Sequence, residues 1–202
     1  MRSLLKEIVE TAALLVALPW IGWYRLATAV APTSRDVLMR GMSQAVSMFP
    51  GRVGSLVRCA FYRHTMLHVG RPCFIGFGTI FATADVHLGD RVYIGAFCNL
   101  GHVDIEDDVM LGSNVTILSG KHQHGFERTD VPMNQQEGRY DRVRIGGDCW
   151  LGNGSIVMAD VAGGSIVAAG AVVTSTHPSH SVLGGNPARV ISRRESAPSI
   201  EG

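Results

Sequence analysis

Little of this 202-residue chain is charged or aromatic: Asp, Glu, Lys and Arg supply 17% and Phe, Trp and Tyr 7%. Against 46% hydrophobic residues, that scarcity excludes a disordered chain. The formal net charge is +1 and the basic residues form no long run, so the footprint of a nucleic-acid binder is absent. Few aromatics also means no stacking platform for single strands. There is no Cys-x-x-Cys pair. Cys59, Cys73, Cys98 and Cys149 are scattered, which excludes zinc-finger and thioredoxin-type spacings. They read as reduced, partly buried thiols of a cytosolic protein. There is no Walker-type loop, so a nucleoside triphosphate is not expected.

Long hydrophobic runs are also scarce. The one candidate, "TAALLVALPWIGWY" (11–24), is apolar for about a dozen residues, short of the ~20 that span a bilayer. Pro19, Trp20 and Trp23 suit a segment lying at a membrane surface or entering it part-way. Packing on the domain or on another subunit is the plainer reading. A cleaved leader is the third, with Arg2 and Lys6 before the run and "ATA" (27–29) after it. Glu7 and Glu10 speak against the leader, because they occupy the stretch where one carries positive charge. The expectation is peripheral membrane association through residues 11–31, at the cytoplasmic face.

What the chain does have is a repeat of six. Aliphatic or aromatic residues recur at Ile75 and Phe81; at Leu88, Ile94 and Leu100; at Ile105, Leu111 and Ile117. The series resumes at Ile145, Leu151 and Val157, then at Val161, Val167 and Val173. Gly often follows. Six matches neither the 3.6 period of a helix nor the 2 of a long strand. It matches a short strand and a tight turn, with Gly, Asn or Asp at positive φ. Groups of three predict a triangular coil of about eighteen residues whose stacked rungs share one core. The slips at 81–88, 100–105 and 157–161 predict corners with a residue gained or lost. Upstream, residues 34–70 read as helix, break at Pro50-Gly51, helix, and are expected to cap the open end of the coil.

The stretches "IGAFCNL", "DIEDDVMLGSNVTIL", "VRIGGDCWLGNGSIVMADV", "IVAAGAVVTS" and "LGGNPARVI" resemble the hexapeptide-repeat acyltransferases, in particular the maltose, galactoside and polysaccharide O-acetyltransferases. The resemblance implies a mainly β fold, a left-handed parallel β-helix over residues 70–192. Residues 1–69 are expected to form a helical, partly hydrophobic extension and 193–202 a flexible tail. It implies a homotrimer with sites between neighbouring subunits. It further implies acetyl-CoA as acyl donor, no metal, and a saccharide hydroxyl as acceptor, lipid-linked if the N-terminus meets a membrane.

Acyl transfer to an alcohol needs a base for the hydroxyl proton and a donor for the oxyanion. By the resemblance "NVTILSGKH" leads to the catalytic base, His122, and Asn99 holds the acceptor or the intermediate. His124 is the runner-up base or an acceptor contact. Arg128 is a further acceptor contact, and Asp85 and Glu127 are candidate orienting carboxylates. The polar segment 121–142 is too long for a tight corner, and such excursions are functional or disordered. For the donor, the resemblance points to Trp150, Ser155, Ala169 and Thr174 along the pantetheine arm and Arg189 at the phosphates. Two rivals remain open. One is a metal enzyme like the carbonic anhydrases of this fold, using His87, His102, His122 or His124. The other is a scaffold without activity.

Overall fold

The computed structural model describes residues 2–194, with side chains from Glu7 onward. The tail expected over 193–202 lies mostly outside the described residues. From the N-terminus come three helices: α1 (Arg2–Val30), α2 (Arg35–Ser47) and α3 (Gly51–Thr65). The break between α2 and α3 falls at Pro50-Gly51, where Gly51 takes φ +65°.

The rest is a three-sided coil of two- and three-residue strands, all parallel until the last hairpin. Sheet A is built from His68–Val69, His87–Leu88, Val103–Ile105 and Val143–Ile145. Sheet B runs through Phe74–Ile75, Tyr93–Ile94, Met110–Leu111, Trp150–Leu151 and Ile166–Val167 to Ser181–Gly184. The antiparallel strand Arg189–Arg193 completes it. Sheet C comprises Ile80–Phe81, Asn99–Leu100, Thr116–Ile117, Ile156–Val157 and Val172–Val173. The fourteen rung positions named from the sequence all point inward, and none is more than 2% exposed. The close approach of successive coils explains the glycines that follow them. A β-carbon on Gly76 would lie 2.4 Å from the Gly95 carbonyl, backbone against backbone.

The three slips share one place, the corner between sheets C and A. The 118–142 excursion leaves from the same corner. Pairing resumes undisturbed beyond it: Asp104 stands opposite Arg144 and Met110 opposite Trp150.

The helices close the first coil, whose edge strands would otherwise leave main-chain groups unpaired. Ser43 Oγ accepts from Phe81 N at 2.8 Å, Ser55 Oγ from Ile75 N at 3.1 Å, and the Ser47 carbonyl from Gly78 N at 3.0 Å. Arg58, fully buried, donates to the carbonyls of Ile75 (2.9 Å), Phe49 (2.5 Å) and Ser47 (3.3 Å). Edge-to-face rings run from α1 into the coil: Tyr24 on Phe61, Phe61 on Tyr62, Tyr62 on Phe81. One core therefore spans cap and coil.

Candidate functional site

The C–A corner holds a cleft of about 560 Å³. Its floor is Asn99, Gly101 and His102 with Ile117–Ser119. One wall is Ala82, Thr83 and Asp85, and α2 adds Asp36 and Arg40. The excursion supplies Gln123 and Tyr140. A corner of variable length is where a coil can open such a space, because each extra residue bends outward without moving the rungs.

The excursion is ordered by its own main chain. Arg139 N donates to the His122 carbonyl at 2.7 Å and Asp141 N to that of Ser119 at 2.9 Å. The legs approach so closely that a β-carbon on Gly138 would overlap the Gln123 carbonyl. Gln136 clamps the tip, donating to the carbonyls of Arg128 and Val131 and accepting from Arg128 N. Of the sequence candidates here, His122 and His124 are solvent-exposed, while Gln123 between them lines the cleft. Arg128 ion-pairs with Asp130 on the same exposed tip, and Glu127 accepts from the Phe126 N–H.

Asp85 is an orienting carboxylate, but for another histidine. Its Oδ2 lies 2.9 Å from His102 Nε2 and 2.7 Å from Arg142 Nη2. Arg142 in turn bridges to Asp104. Burial pushes the Asp85 carboxyl upward, but the bonds and charges of Arg142 and His102 outweigh it and hold the pKa below the usual carboxylate range. The cleft thus contains an imidazole fixed by an ionised carboxylate, itself fixed by an arginine. The signal that would have found this pair is the coil length. Asp85 and His102 are seventeen residues apart, like Arg91 and Asp108, which also pair.

The donor-side candidates lie elsewhere. Trp150 is half exposed on sheet B, in a ladder Phe74–Tyr93–Met110–Trp150–Ile166–Val182 that runs the length of the coil. Ala169 is exposed at the B–C corner, stacked on Gly152. Thr174 is half-buried past sheet C. Ser155 is buried, its hydroxyl without a partner among the described residues. Arg189 is exposed and, among the described residues, hydrogen-bonds the Ala188 carbonyl, whereas Arg194 is held by Asp148 and the Gly164 carbonyl. Within one chain these residues do not converge on the cleft, since Trp150 and Asn99 face out from different sheets. Among the described residues no group of three or more His, Cys, Asp or Glu side chains converges as a metal would require.

Residues 142–175 match the family described as the hexapeptide repeat of succinyl-transferase. The chain carries the hexapeptide-repeat β-helix. It is 34% identical over 132 residues to a galactoside O-acetyltransferase of Lactococcus lactis, covering 60% of each chain. It is 30% identical over 127 residues to the putative lipopolysaccharide biosynthesis O-acetyl transferase WbbJ of Escherichia coli, covering 58% of this chain and 62% of that one. The hexapeptide-repeat chain thus spans about 60% of these curated relatives. Among solved structures, a maltose O-acetyltransferase from Clostridium difficile superposes with a TM-score of 0.68 at 24% identity, over 80% of this chain and 89% of that one. A hexapeptide-repeat acetyltransferase from Vibrio cholerae, complexed with acetyl-CoA, gives 0.70 at 20% identity, over 84% and 92%. At these identities the superpositions establish the hexapeptide-repeat fold.

Proposed function

We propose that the protein is an acetyl-CoA-dependent O-acetyltransferase acting on a saccharide hydroxyl. The observation that carries the reading is the cleft at the C–A corner. There Asn99 and a carboxylate-held imidazole sit beneath a compact excursion bearing His122, on a coil shared in sequence and fold with acetyltransferases. The residues present fit an acyl-CoA. The B–C corner of the later coils is built from Gly152, Gly154, Ala168, Ala169 and Gly170. A β-carbon on Gly154 or Gly170 would meet nothing within 4 Å, so an extended thioester arm can lie close to the backbone. Trp150 offers a flat apolar face nearby and Arg189 a cation for phosphate.

His122 takes the proton of the acceptor hydroxyl as the oxygen attacks the thioester carbonyl, while Asn99 donates to the acceptor or the developing oxyanion. The tetrahedral intermediate collapses with loss of the CoA thiolate. The thiolate takes the proton back from the imidazolium, leaving the acetyl ester and free CoA thiol. His122 points to solvent in the single chain and the donor residues lie on another face. Both features suit a homotrimer in which the apolar ladder of sheet B is covered and one copy's excursion meets the next copy's donor groove. A second reading has one observation in its favour: His102 already possesses the orienting carboxylate that a base needs.

Titration of acetyl-CoA into the parent and into His122→Ala, with thiol release followed over a panel of saccharides, tests this. Donor binding by both, with turnover lost only in the variant, supports the reading. Turnover lost in His102→Ala and retained in His122→Ala moves the base to His102. No donor binding by folded protein overturns the transferase reading.

A further inference from the structure

Helix α1 has two unlike faces. The inner one packs Ala13, Ala17, Ile21 and Tyr24 chiefly against α3. The outer one carries Leu15, Val16, Leu18, Trp23, Leu26 and Val30, between 48% and 79% exposed. Every ionisable residue between positions 7 and 30 is turned towards the protein. Glu7 and Glu10 line a hollow with Arg63, His64 and Arg71, Glu10 lies 3.9 Å from Arg71, and Arg25 donates to the His64 carbonyl. The polar groups follow suit: Thr11 lines the same hollow, and Thr28 satisfies its hydroxyl on the helix carbonyls of Tyr24 and Arg25. The outer face from Ile8 to Val30 is thus an uncharged apolar strip about 33 Å long.

We propose that this face lies on a lipid bilayer, parallel to its surface. A core helix of this hydropathy would be mostly buried, yet only 22% of its apolar 18-residue stretch is. By length and composition Glu7–Val30 could cross a bilayer, but crossing would tear Ala13, Ala17, Ile21 and Tyr24 from α3. It would also carry Glu10 and Arg25 into hydrocarbon. Pro19 sets the depth. It has no N–H for the Leu15 carbonyl, which then needs a donor from water or headgroups and finds none in the hydrocarbon core. Trp23 supplies the ring that favours this boundary. A second copy would also cover apolar surface. It gives no reason for so complete a removal of charge from the strip, which a continuous apolar medium demands.

The test is flotation of the full chain with vesicles of phosphatidylcholine alone and with about one third phosphatidylglycerol. The parent is expected to float with both, and V16E/W23E to bind about a hundredfold more weakly at unchanged helix content. The proposal is overturned if the parent floats with neither, or if the double variant floats as the parent does. It is equally overturned if the parent ignores vesicles and the variant instead forms a smaller assembly, which makes the strip a contact between copies. If the double variant does not fold, tail-brominated lipid decides. Quenching of tryptophan fluorescence that disappears in W23F supports the proposal, and unquenched parent fluorescence overturns it.

Discussion

Arg58 joins the helical cap to the coil, and replacing it by Met tests whether that junction matters. The guanidinium is fully buried with no carboxylate beside it, and burial pulls its pKa below the usual arginine range. Its partners are three carbonyls, of which Ser47 also accepts from Gly78 N and so would keep a bond. That of Ile75 would be left buried and unpaired, and that of Phe49, half-buried, would lose its partner. An orphaned buried carbonyl costs about 1–3 kcal/mol, so the two together cost at most about 2–6. Relief from holding a desolvated cation, one of whose nitrogens has no partner, offsets part of this. Met preserves most of the volume. The net expectation is a loss of about 3 kcal/mol, roughly 6–12 °C in Tm for a chain of this size. The assay is urea and thermal unfolding at one protein concentration, since assembly shifts apparent stability. Arg40→Met, exposed and holding only the Ala82 carbonyl, is the control and should lose under about 1 kcal/mol. An Arg58→Met protein as stable as its parent would refute the reasoning, because desolvation would then cancel the carbonyl bonds.

Leu111→Ala, in the middle of the coil, is expected to lose about 2–5 kcal/mol by equilibrium unfolding. Asp85→Asn should lower acyl transfer if His102 needs orienting, visible as a fall in kcat with little change in Tm. Its pH dependence has a fixed sign: the folded pKa is depressed, so the stabilisation is complete above about pH 4–5 and fades as pH falls through the folded value. With the carboxylate 42% exposed, the effect stays under about 1 kcal/mol by acid titration of stability. Burial pushes all four thiols up, that of Cys73 to about 11, so native protein at pH 7.5 should react slowly with maleimide and unfolded protein at once.

The coil was legible because each rung contributes one buried aliphatic residue at a fixed interval, and nothing in a later coil can change that local arithmetic. Gly76 and its counterparts mark where backbones touch. The helix break at Pro50-Gly51 was equally local. The site was harder for the opposite reason. Asp85 joins His102 across one coil and Arg142 across two coils and an excursion, so the seventeen-residue interval reveals the first contact and conceals the second. The spread of Trp150 and Asn99 over different faces is invisible to any reading of motifs in order, as is the way α1 separates its apolar residues from its charged ones.

The resumption of pairing beyond the excursion has a consequence for how such a protein can change. Asp104 still meets Arg144 although the intervening chain makes a long detour, so the coil is indifferent to what is inserted at that corner. Doubling the detour would add only about 0.6 kcal/mol of closure entropy. If the protein is the acetyltransferase proposed above, exchanging residues 118–142 as a cassette should change its acceptor while the B–C corner of the later coils stays as it is.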